Sequence, residues 1–416
     1  MCSSDLDTAA FVSAFVLDKR FGLDQGFDHY DDKMGSSITV GGYTERRGHH
    51  TTEQAIQWLE TERTRPYFLW VHYYDPHQPH SPPSPFFEQS PHPYDGEIAF
   101  MDYELGLLLD KVWATSDAEP LIVVVADHGE ALGEHGERTH ASLAYDATLR
   151  IPLILHAPEA LGRGLHMSSR VSQVDLLPTI ATLVGIAAPQ RLDGVDLTRV
   201  QDFDRPLIAE AVDGQANFGW AGLAVLYRGA LKYIDGPNPE LFDLARDPLE
   251  EHNIIAERKR EADELERQLR ALRGENARLV VPTTTDLDAI DVARLEALGY
   301  VVTAGLEFEP GTNGPDPKHE LPLLLDIYDL IGKVHTGPPE STWQNFLAEV
   351  RGERITAGEA IVALEAMAAA HPDFAPVYRY LGFLYQEENR PEQAARVKNI
   401  LEAKVRGRGA TPGRSG

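Results

Sequence analysis

Cysteine is almost absent from this sequence. Cys2 is the single one in 416 residues, so no disulfide can close within the chain, and cysteine usage leaves the redox compartment open. Positive charge is scarce too: 38 Lys and Arg stand against 65 Asp and Glu, a formal charge of -27. A chain this acidic lacks the cationic surface on which nucleic-acid binding draws. The one basic stretch, Lys404 to Arg414, contains Gly407, Gly409, Pro412 and Gly413, with Ser415 just beyond it, and is expected to be a disordered tail. Long apolar runs are also missing, since nothing approaches the roughly eighteen residues that a membrane-spanning helix needs. With 43% hydrophobic and 25% charged residues over this length, the composition is that of a packed protein with more than one folding unit.

From Asp5 to about Val200 apolar strand-like runs alternate with helical stretches, the pattern of an α/β domain with a largely parallel sheet. Residues 67–72, 121–126 and 151–155 read as fully buried strands. Residues 97–112 carry Ile98, Met101, Leu105, Leu108, Leu109 and Val112 at helical spacing and read as the crossover helix of a βαβ unit. After Asp196 the strands shorten. Residues 222–226 and 230–234 form an expected hairpin within a smaller antiparallel sheet, residues 255–278 an expected surface helix, and residues 305–318 a Gly/Pro/Asp linker. The expected division is an α/β domain over residues 1–200, a second subdomain over 201–300, a linker over 301–320, an all-α helical module over 321–405 and a tail over 406–416.

The helical module shows a period. Leu347 and Leu381, and likewise Ala360 and Ala394, are thirty-four positions apart, the tetratricopeptide spacing. Tyr378, Leu381, Gly382, Tyr385 and Ala394 fit that consensus, and Pro372 closes the unit before it. Such repeats offer a concave surface for a protein partner. A generic helical hairpin is the plainer alternative.

The sharpest chemical signal is the strand 121–126 running into Asp127-His128-Gly129-Glu130. Functional groups in parallel sheets collect at the carboxyl ends of strands, and here a carboxylate and an imidazole, both metal ligands, arrive side by side. A capped turn is the plain alternative for a lone Asp-His-Gly. The sequel raises the signal: Leu132-Gly133-Glu134-His135-Gly136, then Thr139-His140, Tyr145-Asp146 and Arg150-Ile151-Pro152-Leu153. This order resembles the sulfatase family of the alkaline phosphatase superfamily. Two further blocks are similar to it in the same order, His72-Tyr73-Tyr74-Asp75-Pro76-His77-Gln78-Pro79 and Glu240-Leu241-Phe242-Asp243 through Asp247 to Asn253. Together they cover roughly residues 5 to 300.

The resemblance implies an alkaline-phosphatase-like fold and hydrolysis of a small-molecule or carbohydrate sulfate ester. It makes Asp127 and His128 two of four protein ligands to one divalent metal, calcium in the first instance, with manganese or zinc open because one ligand is an imidazole. It makes His77 the group that contacts the ester and protonates the leaving alkoxide. His140 falls where many members carry a lysine that holds a sulfate oxygen, so activity is expected to fall as His140 deprotonates. His72 reads equally as a core or a site residue, His135 as loop support, and His49, His50, His80 and His92 as solvent-exposed.

The sequence departs from the family in one respect. The strand with a metal-binding Asp pair and the C/S-x-P-x-R nucleophile motif are not found, and Cys2-Ser3-Ser4-Asp5 lacks the Pro and Arg. The expectation is an N-terminally incomplete chain, inactive as written, whose full-length parent is periplasmic or extracellular. Phosphodiester or phosphonate monoester hydrolysis is the alternative within the superfamily. A non-catalytic interaction protein with a degenerate hydrolase domain is the alternative outside it.

Overall fold

The computed structural model describes residues 6–34, 38–40, 43–61, 63–78, 80–199, 204–274, 279–280, 307–308, 314–331, 333–334 and 355–409. Cys2, Leu347 and most of the linker lie outside the described residues. The chain divides into two compact units, one holding the described residues up to Pro120, the other Leu121 to Gly274 and the C-terminal helices.

In the first unit, β1 (Asp7–Phe11) lies between β2 (His29–Asp31) and, beyond a small hairpin of β3 (Ile38–Val40) and β4 (Tyr43–Glu45), β5 (Tyr67–Val71). Both pairings are parallel. Ala9 and Phe11 meet Ala55 and Leu59 of α1 (Gly48–Leu59), and the same core takes in Leu108 and Val112 of a long helix. The small side chain of Ala9 lets the helices approach the strand closely. After a short α2 (Phe86–Gln89), that helix, α3 (Pro93–Thr115), opens on a proline, which suits the first helical position. Its buried face corrects the expected one. Phe100, Glu104, Leu108 and Val112 are buried at steps of four, whereas Ile98 and Leu107 are exposed. Glu97 is buried as well, because its carboxylate accepts the Ser81 N–H at 2.6 Å and the His80 Nδ1–H at 3.1 Å. His80 is therefore bonded and largely buried, not the solvent-exposed histidine expected.

In the second unit, β6 (Ile122–Val125) pairs with β7 (Leu153–His156), and the pairing is antiparallel. The expected βαβ unit thus does not form as one hydrogen-bonded sheet among the described residues. The intervening segment carries α4 (Asp146–Leu149) and brings the chain back along β6 in the opposite sense, with α5 (Pro158–Leu161) and α6 (Leu176–Leu183) following. These strands are also less buried than expected: β5 is an edge strand with Phe68 half exposed, and β6 and β7 form a two-stranded ribbon with Val125 and Ile154 exposed.

Beyond β8 (Leu207–Ala211) and α7 (Asp213–Phe218), the predicted hairpin is present as β9 (Leu223–Arg228) and β10 (Leu231–Asp235). With β11 (Glu240–Asp243) they make an antiparallel sheet in the order β11-β10-β9-β8. Helix α8 (Lys259–Arg273) lays Ala262, Leu265 and Leu269 on Ala224, Leu226, Tyr233 and Leu241 of this sheet. The turn before it is locally encoded. Asp247 oxygens accept the N–H groups of Glu251 and His252, and Asn253 Oδ1 accepts those of Leu241 and Ile255.

The C-terminal helices are α9 (Pro317–Ile331), α10 (Ala357–Ala370), α11 (Ala375–Glu387) and α12 (Pro391–Gly409). Ala360, Leu381, Tyr385 and Ala394, singled out by the thirty-four-residue spacing, are buried among them. Helix α12 continues to Gly409, four residues into the expected tail. No helix among the described residues is long and apolar enough to cross a membrane.

Candidate active and metal-binding site

At the carboxyl end of β6 the chain turns sharply through Asp127, His128 and Gly129. Three hydrogen bonds hold the turn: Gln173 Nε2 donates to the carbonyls of Ala126 at 3.0 Å and Asp127 at 2.7 Å, and the Gly129 N–H donates to Thr148 O at 2.7 Å. A Cβ on residue 129 would stand 2.4 Å from the Ala147 carbonyl oxygen, so only glycine allows the turn to rest on α4.

The side chains of Asp127 and His128 emerge together. Asp127 Oδ1 accepts the His128 backbone N–H at 2.9 Å, and Oδ2 lies 3.7 Å from His128 Nε2. The His128 Nδ1–H donates to the Gly129 carbonyl at 2.9 Å, an atom that can only accept. The neutral ring therefore presents the lone pair of Nε2 outward, as a metal ligand must.

His140 joins this pair. Its ring stacks on that of His128 with centroids 4.0 Å apart and planes at 28°, and its Nδ1–H donates to Glu130 Oε2 at 2.9 Å. Burial works to lower the His140 pKa, but the hydrogen bond and charge of Glu130, helped by Glu137 and Asp127, prevail and raise it. The histidine thus holds its proton to higher pH than a free imidazole would. Glu137 is buried behind it, accepting the N–H groups of Ser142 at 2.8 Å and Leu143 at 3.2 Å. Burial pushes its carboxyl up to about 7 against those two bonds.

Glu130 was not anticipated from the sequence. Its side chain is 4% exposed, and Oε1 is buried with no hydrogen-bond partner. Ligand atoms of His128, Glu130 and His140 all lie within 4.8 Å of one another. An orphaned carboxylate oxygen beside the His128 imidazole, with Asp127 adjacent, suits a divalent cation, whereas His140 in its protonated form adds charge and not a ligand. The sequence signal was only its place directly after the Asp-His-Gly. A second acidic group, Asp247, Glu251 and His252, clusters similarly, but both Asp247 oxygens cap the turn described above.

His77 belongs to the first unit. Its ring stacks on Tyr74 at 4.2 Å, its Nδ1–H donates to Gln78 O at 2.6 Å, and its Nε2 faces the Tyr74 hydroxyl at 3.3 Å. The loop is anchored by Asp75, which is buried and accepts the Gly48 N–H at 2.9 Å while pairing with Arg47 at 3.3 Å. His72 Nδ1 faces the Ser13 N–H at 3.5 Å, a core contact. His135 stacks on Tyr145 at 3.6 Å and donates to Leu249 O at 3.0 Å, the loop support expected of it.

A family model described as Sulfatase matches residues 10–186. Arylsulfatase K of Mus musculus is 31% identical over 194 residues, which are 42% of this chain and 32% of that protein. Choline-sulfatase of Rhizobium meliloti (strain 1021) is 33% identical over 170 residues, 39% of this chain and 32% of that protein. The chain thus spans about a third of the length of the curated relatives it matches. Among solved structures, phosphonate monoester hydrolase of Agrobacterium radiobacter superposes with a TM-score of 0.50 at 19% identity, over 64% of this chain and 77% of that one, a likeness of fold.

Proposed function

We propose that this chain, whose residues 10–186 match the sulfatase family model, is a member of that family and supplies the metal-binding and leaving-group half of a hydrolase of sulfate esters. The observation that carries the proposal is the turn at the end of β6, where Asp127 and His128 emerge together beside His140 on its buried carboxylate. Asp127 and His128 would hold a divalent ion, with Glu130 a further donor. Such an ion, when bound, supplies positive charge against the ester oxygens on which negative charge gathers as the bond breaks. His140, kept protonated by Glu130, donates to a sulfate oxygen. His77, its Nδ1–H committed to Gln78, would protonate the leaving alkoxide from Nε2 only as the imidazolium, the form in which that nitrogen also carries a proton.

The 416 residues contain no C/S-x-P-x-R motif, and the chain alone is proposed not to turn over. The substrate is proposed to be a sulfate ester on a small molecule or carbohydrate, and the ion calcium, with manganese and zinc as rivals. The fold likeness to a phosphonate monoester hydrolase favours one second reading, a phosphonate or phosphodiester substrate. The C-terminal helices are proposed to hold a protein partner.

The test is metal titration with Ca2+, Mn2+ and Zn2+, together with assays on 4-nitrophenyl sulfate and an aryl phosphonate. The expected result is binding of one ion, lost in His128→Ala, with no turnover. Failure to bind any of the three ions overturns the hydrolase reading. Turnover that vanishes in His128→Ala would overturn the claim of inactivity alone and show which ester is preferred.

A further inference from the structure

We infer that Lys232 is a positioning residue, which through Asp146 holds helix α4 where the Asp127-His128-Gly129 turn rests on it. The inference builds on the proposed role of that turn and names what fixes it in place. Lys232 lies within β10 with its side chain fully buried, its ammonium 2.8 Å from Asp146 Oδ1 and 2.6 Å from Glu250 Oε1. The Tyr227 O–H donates to the same Asp146 oxygen at 2.6 Å, and the Asp146 backbone N–H donates to Glu250 Oε2 at 2.6 Å. The first residue of a four-residue helix is thereby gripped by side chain and main chain at once.

Helix α4 then meets the turn. The Gly129 N–H donates to Thr148 O, and the Ala147 carbonyl fills the space a Cβ on Gly129 would take. The path from Lys232 to Asp146, along α4, and on to Gly129 is continuous at contact distance and ends one residue from His128. Glu250 holds φ at +58°, a left-handed conformation that a residue with a side chain keeps only where its surroundings fix it. Burying Lys232 and Glu250 with a half-buried Asp146 is a poor route to stability, since neutral groups of like volume commonly do as well or better. Fixing the geometry of α4 accounts for their presence where stability does not.

The test uses the whole chain with Lys232→Met, with the neutral triple change Lys232→Met, Asp146→Asn and Glu250→Gln, and with Tyr227→Phe, which deletes one hydrogen bond to Asp146. Hydrogen exchange at the peptide containing Gly129 is the main readout, and Mn2+ affinity the second. In the triple variant the melting temperature is expected to stay near that of the parent while Gly129 exchanges about tenfold faster or more, as for a lost hydrogen bond. Unchanged exchange at Gly129 in a folded variant overturns the inference. Should Lys232→Met or the triple variant fail to fold, Tyr227→Phe decides in the same way, by a smaller loss of protection or none. Exchange needs neither metal nor turnover, so failure of the hydrolase reading and failure of this inference give different results.

Discussion

Adding one methyl group at Gly129 would test whether the turn carrying Asp127 and His128 takes its position from helix α4. The new Cβ would stand 2.4 Å from Ala147 O, 3.2 Å from Thr148 Cα and 3.3 Å from Ala147 C, all backbone atoms that no side-chain rotation can move. Since real Cβ contacts do not fall below 3.0 Å, the turn and the helix must separate by about 0.6 Å or more. Overpacking of this kind costs about 1–3 kcal/mol. The separation also stretches the 2.7 Å bond from Gly129 N–H to Thr148 O, worth about 1 kcal/mol more. Gly129→Ala is therefore expected to lower stability by about 2–4 kcal/mol, read from urea midpoints. Metal sites tolerate ligand displacements of only about 0.2 Å, so affinity for Mn2+ is expected to fall about tenfold or more. Gly106→Ala is the control: it lies in the exposed part of α3 with nothing within 4 Å, and should be stabilising by up to about 1 kcal/mol. A Gly129→Ala protein with the parent's urea midpoint and metal affinity refutes the reasoning.

Glu137 makes a prediction about pH. Burial pushes its carboxyl up to about 7 from the ordinary 4.5 of a glutamate, so the folded state binds this proton more tightly than the unfolded one. The contribution is fully present below about pH 4.5 and is lost as pH rises to about 7, some 3 kcal/mol in order of magnitude. Glu137→Gln should remove that part of the slope, and parallel urea-midpoint profiles for the two proteins would count against it. Asp175 is fully buried, accepts the N–H groups of Ser172 and Val195 at 2.8 Å each and pairs with Arg205. Asp175→Ala is expected to cost about 3 kcal/mol, and a loss under about 1 kcal/mol in calorimetric or urea unfolding would show the network to be dispensable.

What could be read along the chain was what short-range physics encodes. The hairpin of β9 and β10 follows from two apolar runs around Gly229, and the turn from Asp243 to Asn253 from side chains that bond backbone groups a few residues away. The adjacency of Asp127 and His128 is a property of neighbouring residues at a strand end, and it survived folding unchanged. Helix α3 shows where such reading fails. Periodicity placed it at 97–112, inside its actual span of 93–115, but the face it buries includes Glu97 and Glu104, and Glu97 is accommodated by partners at Arg47, His80 and Ser81 that no local pattern announces.

The amino-acid order by itself determined the two α/β and antiparallel textures, the family resemblance and the identity of the turn at the end of β6. Only the tertiary structure decided that His140, ten residues beyond Glu130, stacks on His128 and keeps a buried carboxylate as its partner. It alone brought Lys232 to Asp146, eighty-six positions away. The physical reason is the same in both cases. A buried charge is tolerable only where opposite charge or hydrogen bonds meet it, and which distant residue supplies them is set by how the elements pack.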